Sequence, residues 1–284
     1  MDLDLETFLT ALYVIVDDVY QTHIRPQMPV CGGPSALRSD SEVLCLGLAA
    51  QWRSGVPWKS ERGIMRYVRK HLRPLFPTLL TQSAFNRRLR RLWGAFILIQ
   101  NAVAEALTDA SDDDIMDGFP IPVAHGARSF SPGWLAAIAR IGKGGNDRYF
   151  YGVRMMLVIN QHGVATGWAL ASGNVQERWV AELLFSTRAG LPRVQGPLDG
   201  QTHQPTVPPP TEWMAVLPSC GAARQVVETT FANLSESFGL KYPDAHTGWG
   251  LLMRVAAKVA AYNLGIVLNR LFGRPDFAFA TLIV

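Results

Sequence analysis

Tyr149–Ala171, YFYGVRMMLVINQHGVATGWALA, is the stretch on which the reading of the fold turns. Two apolar runs, Tyr149 to Ile159 and Val164 to Ala171, flank Asn160-Gln161-His162-Gly163, a polar turn with glycine where a hairpin requires it. Upstream, Ile115-Met116-Asp117-Gly118-Phe119-Pro120 reads as a short apolar strand that breaks at an acid followed by glycine. Downstream, residues 175–188 read as a helix, with Val180, Leu183 and Leu184 apolar and Glu177 and Glu182 more polar.

A late helix completes the series. In Ala222–Leu240, AARQVVETTFANLSESFGL, the residues Val227, Phe231, Leu234 and Phe238 recur at i, i+4, i+7 and i+11 and share one helix face. Glu228 stands beside that stripe, with Arg224 one turn earlier on the same strip of surface, where it can pair with the carboxylate and steer it. Taken alone, such an i,i+4 pair is common on solvated helices. Strand, hairpin, helix and late helix together predict an α/β fold with a ribonuclease-H-like mixed sheet over residues 111–284.

Residues 1–110 predict an all-α region. Leu5, Phe8, Leu9, Leu12, Tyr13 and Val16 form an amphipathic pattern that ends before a loop carrying Pro26, Pro29 and Gly32-Gly33-Pro34. Ser39-Asp40-Ser41-Glu42 offers a capping box for a second helix running towards Trp52. A basic segment from Glu61 to His71 follows, and another helix starts near Ser83 and turns apolar after Trp93. Several short helices ending in a basic one suit a helix-turn-helix module, and they equally suit a bundle with a solvated basic face.

The net charge of +4 conceals a local excess. From Arg53 to Arg91 there are eleven Lys or Arg against the single acid Glu61. Such a block fits a polyanion, and each cation placed on a phosphate releases a counterion and makes binding salt-dependent. Arg66, Arg69, Lys70, Arg87, Arg88, Arg90 and Arg91 are the candidate DNA contacts. The acidic start lacks a secretory signal pattern, and the apolar window from Trp93 to Leu107 is too short to span a bilayer, so a soluble intracellular protein without a membrane partner is expected. Three cysteines with no Cys-x-x-Cys pair, and six scattered histidines, point to neither a disulfide framework nor a zinc site.

Two carboxylates are placed for chemistry. Asp117 follows apolar residues on the first strand, where an acid is expensive unless paired or metal-bound, and Glu228 lies on the late helix. Hard divalent ions take such oxygen ligands and keep several waters. The Asp112 to Asp114 run reads instead as a linker or a helix cap.

The segments IMDGFPIPV, RYFYGVRMMLVINQHG and RQVVETTFANLSESFGL, with the terminal helix through Lys258, Asn263 and Asn269, resemble a bacterial insertion-sequence transposase of the Asp-Asp-Glu type. YVIVDDVY (Tyr13 to Tyr20) and FNRRLRRL (Phe85 to Leu92) add to the likeness, which covers most of the chain. It implies a ribonuclease-H-like catalytic domain, Mg²⁺ or Mn²⁺, and DNA transposition by cleavage and strand transfer. The implied partners are transposon terminal inverted repeats and target DNA, and the implied assembly is a homodimer on paired ends in the bacterial cytoplasm, at the nucleoid. On that likeness Asp117 and Glu228 are catalytic metal ligands and Arg224 orients Glu228.

The chain departs from the family pattern in the middle. Between Gly190 and Gly221 seven prolines fall within 32 residues, and the stretch reads as a loop. Asp199 is the only aspartate between the hairpin and Glu228, with no strand leading into it and no Lys-Gly-Tyr after it; it is the candidate second catalytic aspartate and, on turn chemistry, a turn residue before glycine. Gly221 and Ser235 stand where related chains carry tyrosine and lysine. The departures predict an internally shortened transposase joined near Ser219 to Ala223. Loss of strand transfer would leave a DNA-binding remnant or a repressor of transposition.

Overall fold

The computed structural model describes residues 3–27, 39–109, 114–124, 135–144, 148–187, 194–195 and 220–283. They form a mixed α/β protein of helices and a small, mainly antiparallel sheet, in two compact units. One unit joins Met1–Ala106 to Asn233–Val284, and the other is Leu107–Ala232.

The helical unit is built from α1 (Leu5–Val19), α2 (Asp40–Ala49), α3 (Glu61–His71), α4 (Gln82–Arg91), α5 (Trp93–Leu107) and α8 (Gly248–Leu271). Helix α1 opens on Asp4, whose carboxylate accepts from the Thr7 amide at 2.9 Å, and it runs on through a π turn at Tyr20–Ile24. The capping box of α2 forms as expected: Glu42 N–H donates to Ser39 Oγ at 3.1 Å and Ser39 N–H to Glu42 Oε2 at 3.0 Å, which satisfies two otherwise orphaned donors. The core is aromatic at its centre, where Trp52 meets Phe8 and Phe238 edge-on, each at 5.0 Å between ring centroids. Helix α8 is long and apolar enough by composition to cross a membrane, but 83% of its most apolar window is buried inside the protein, as in a core helix. This helix, and not the shorter 93–107 window, is the one of membrane-spanning length and composition among the described residues.

In the other unit the central strand β3 (Tyr149–Asn160) pairs antiparallel with β1 (Asp114–Pro122) along one edge. Its other edge is shared by β2 (Arg140–Lys143) and β4 (Ala165–Ser172). The β3–β4 hairpin turns where the sequence places it. Gly163 takes a positive φ of 78° and donates to Asn160 O at 2.9 Å, while the Asn160 side chain accepts from the His162 and Val164 amides. Met116, Met156 and Val158 on one sheet face pack with Val180, Ala181 and Leu184 of α6 (Glu177–Thr187).

Three sequence expectations change here. The first strand does not stop at Asp117-Gly118 but continues to Pro122, because β3 pairs with it along its whole length. Asp114 is neither linker nor cap: it is 3% exposed on β1 and accepts a hydrogen bond from Thr166 Oγ1 at 2.9 Å. A strand does precede Asp199: β5 (Val194–Gln195) pairs parallel with β1, Asp114 opposite Val194 and Ile115 opposite Gln195. Asp199 itself lies outside the described residues. Helix α7 (Cys220–Glu236) begins within the expected join, of which Ser219 lies outside the described residues.

Candidate functional site

Alternation along β1 puts Asp117, Phe119 and Ile121 on the sheet face opposite Met116. Phe119 stacks on Phe231 of α7, with ring centroids 4.5 Å apart and planes 14° from parallel. Asp117 lies two residues before Phe119 and Glu228 one turn before Phe231, so a single aromatic contact brings the strand carboxylate and the helix carboxylate to the same side. The apolar stripe that fixes this face of α7 is as the sequence predicts: Val227, Phe231, Leu234 and Phe238 are all buried.

The Asp117 side chain is exposed, and one of its oxygens accepts from the Gly118 amide at 2.7 Å. Crowding by surrounding protein removes enough water to raise its carboxyl above the ordinary aspartate range; Gly118 N–H opposes the rise, Glu177 adds to it, Arg224 opposes it and Glu228 adds to it. Asp117, Glu177, Arg224 and Glu228 are thus within electrostatic reach of one another. Arg224 Nε donates to Glu228 Oε1 at 2.9 Å, on side chains 79% and 62% exposed. That pair therefore sits in water, where it contributes a few tenths of a kcal/mol to stability (~0.3–0.5).

Glu177, a polar helix position that no sequence motif singles out, also belongs to this group. It is the first residue of α6, pairs with Arg154 of β3, and its carboxyl lies against Gly118: a Cβ there would stand 2.6 Å from Glu177 Cδ. Arg154 is itself directed by Nη2 donating to Lys143 O at 2.7 Å. An acid at a helix start is too ordinary to single out; the glycine beside Asp117 was the available hint.

Asp117 and Glu228 offer two hard oxygen ligands, which fits a cation such as Mg²⁺ that keeps most of its waters. Among the described residues, no group of three or more His, Cys, Asp or Glu side chains is arranged to hold a metal ion. The third candidate, Asp199, falls outside them.

The basic residues divide into two kinds. Helices α3 and α4 bury Ile64, Met65 and Val68, and Phe85 and Leu89. Arg66, Arg69, Lys70, Arg87, Arg90 and Arg91 are exposed. Arg88 is turned inward: its Nε donates to Asp40 Oδ1 at 2.7 Å, and Asp40 Oδ2 accepts from Tyr20 Oη at 2.9 Å. Burial, then the hydrogen bond and charge of Asp40, push the Tyr20 phenol up to about 12. Arg88 is thereby a structural residue linking α2 and α4. Compared with known protein families, curated proteins and solved structures, the chain has no significant match.

Proposed function

We propose that this chain is a transposase of the Asp-Asp-Glu type, with a ribonuclease-H-like catalytic unit, that binds transposon ends and catalyses metal-dependent DNA cleavage and strand transfer. The observation that carries the reading is the Phe119–Phe231 stack, which sets Asp117 and Glu228, distant in sequence, on one side of the sheet. The parallel strand β5 beside β1 supports it further, because Asp199, the remaining carboxylate, follows it four residues later in the sequence.

Asp117 and Glu228 would hold Mg²⁺ or Mn²⁺. Such an ion, when bound, would supply Lewis-acid activation of the attacking hydroxyl and would offset charge on the phosphoryl group and leaving oxygen. Arg224 holds the Glu228 side chain in one orientation, and Glu177, held by Arg154, places a further negative charge near Asp117. The exposed cations of α3 and α4 would take backbone phosphates, with Arg88 left out of that set. The cellular setting that follows is the bacterial nucleoid, with the ends paired by a homodimer.

A second reading has one observation in its favour. No Lys-Gly-Tyr follows Asp199, and an internally shortened chain could keep DNA binding while losing strand transfer, as a remnant or repressor. Labelled duplex bearing the element's inverted repeat separates the two. The transposase reading expects Mg²⁺-dependent nicking at the repeat that is lost in Asp117→Ala, Asp199→Ala and Glu228→Ala, with duplex binding unchanged. Tight, steeply salt-dependent binding without nicking by the wild-type chain would establish the remnant instead, and binding indifferent to salt would defeat both.

A further inference from the structure

Lys258 lies in the middle of α8 and is 1% exposed. Its Nζ donates to Gln51 Oε1 at 3.0 Å and to Phe238 O at 2.7 Å. Both acceptors are neutral, and an ammonium has three protons to donate. Two more cations stand close by. Arg254, one helical turn earlier, donates Nε to Glu61 Oε1 at 3.3 Å and Nη1 to Pro243 O at 2.9 Å. Arg53 donates Nη1 to Ala50 O at 2.7 Å. The carboxylates facing this group are Glu61 and Asp244, so with Lys258 charged three cations would meet two anions. A buried ammonium short of a counter-charge is unfavourable, and with no further anion the amine is driven towards its neutral form.

These groups do not close on one another. Arg53, Ser60, Glu61, Asp244, Arg254 and Lys258 line a cleft of about 40 Å³ within the helical unit. The first turn of α3 opens on the same cleft through its N-cap Ser60, adding the positive end of a helix dipole. We propose that this cleft binds one tetrahedral oxyanion, a phosphate group, between Lys258, Arg53 and Arg254. The bound anion holds Lys258 in its charged form, balances that charge and accepts from its third proton. The site is independent of the Asp117–Glu228 reading.

Without an anion, burial holds the Lys258 amine well below the usual lysine range; Arg53 and Arg254 lower it further, and Glu61 and Asp244 partly oppose them. An oxyanion beside it favours the charged form, so binding takes up a proton and strengthens as pH falls. The test uses the full chain and inorganic sulfate, which does not itself titrate near neutral pH. Calorimetric titrations in buffers of different ionisation enthalpy are compared with chloride at matched ionic strength. The expected result is saturable sulfate binding with uptake of about one proton per anion. Lys258→Met and Arg53→Gln should each weaken it about tenfold or more, as loss of a charge-assisted hydrogen bond does. Should either variant fail to fold, the wild-type titration decides by itself: sulfate behaving like chloride, or binding with no proton uptake, overturns the site. A competition arm identifies the source of the phosphate. Displacement of sulfate by short DNA duplex supports a backbone phosphate, and retention of sulfate beside bound duplex supports a free phosphate compound.

Discussion

Arg88 and Asp40 meet at 2.7 Å across 48 residues of chain, on side chains 23% and 20% exposed; Arg224 and Glu228 meet at 2.9 Å across one helical turn, on side chains 79% and 62% exposed. The first pair is shielded, shares its carboxylate with Tyr20, and fixes α4 against α2. The second contributes little to folding because water competes for both partners. Since that pair contributes little, Glu228 can leave its arginine without disturbing the fold. The same chemistry thus ties two helices together in the helical unit and leaves both partners open to water in the sheet-bearing unit.

The contrast can be broken at several points. The largest effect is expected from Phe231→Ala, which removes the ring that docks α7 on β1 and should cost about 3 kcal/mol in denaturant unfolding. A loss below about 1 kcal/mol would mean that the stack does not position Glu228. Next comes Arg88→Ala, for which about 2 kcal/mol is expected because the Asp40 carboxylate is left half-buried without its cation. If Arg88 were instead a DNA contact, the same variant would weaken duplex binding at unchanged stability.

Tyr20 sharpens the comparison through pH. Its folded-state pKa, about 12, lies above the ordinary phenol value of 10.0, so the folded chain holds a proton that the unfolded chain releases. The stabilisation is complete below the lower value and disappears as pH rises through the higher one. Unfolding followed across that alkaline range should show falling stability in the wild type and a shallower fall in Tyr20→Phe. The smallest effect is expected from Glu228→Gln, which should change stability by less than about 0.5 kcal/mol. A larger loss would mark the Arg224–Glu228 pair as structural and remove the distinction.

Features set by local chemistry were legible from the sequence. The capping box at Ser39 and Glu42, the hairpin glycine Gly163 and the apolar stripe of α7 each depend on residues within a few positions of one another. Features set by distant partners were not. Asp114 resembles a solvated acidic run until Thr166 reaches it across the sheet, and β5 has no alternating pattern because its two residues are defined by pairing with β1. Helix α8 follows the α/β segment in the chain yet packs with the N-terminal helices, through contacts such as Lys258 to Gln51, 207 residues apart. Of the candidate site, Asp117, Glu228 and Arg224 are singled out by motif and spacing, whereas Glu177 enters only because β3 supplies Arg154 to hold it beside Gly118.

The proposed function stands on Asp117 and Glu228 forming one cation-binding pair. Titration of the wild-type chain with Mn²⁺, followed by electron paramagnetic resonance of the free ion, tests this pairing without knowledge of the DNA sequence. Saturable binding is expected, displaced by Mg²⁺ and abolished in Asp117→Asn and in Glu228→Gln, with both variants as stable as the wild type. Binding that survives in both variants, or no binding in the wild type, would contradict it.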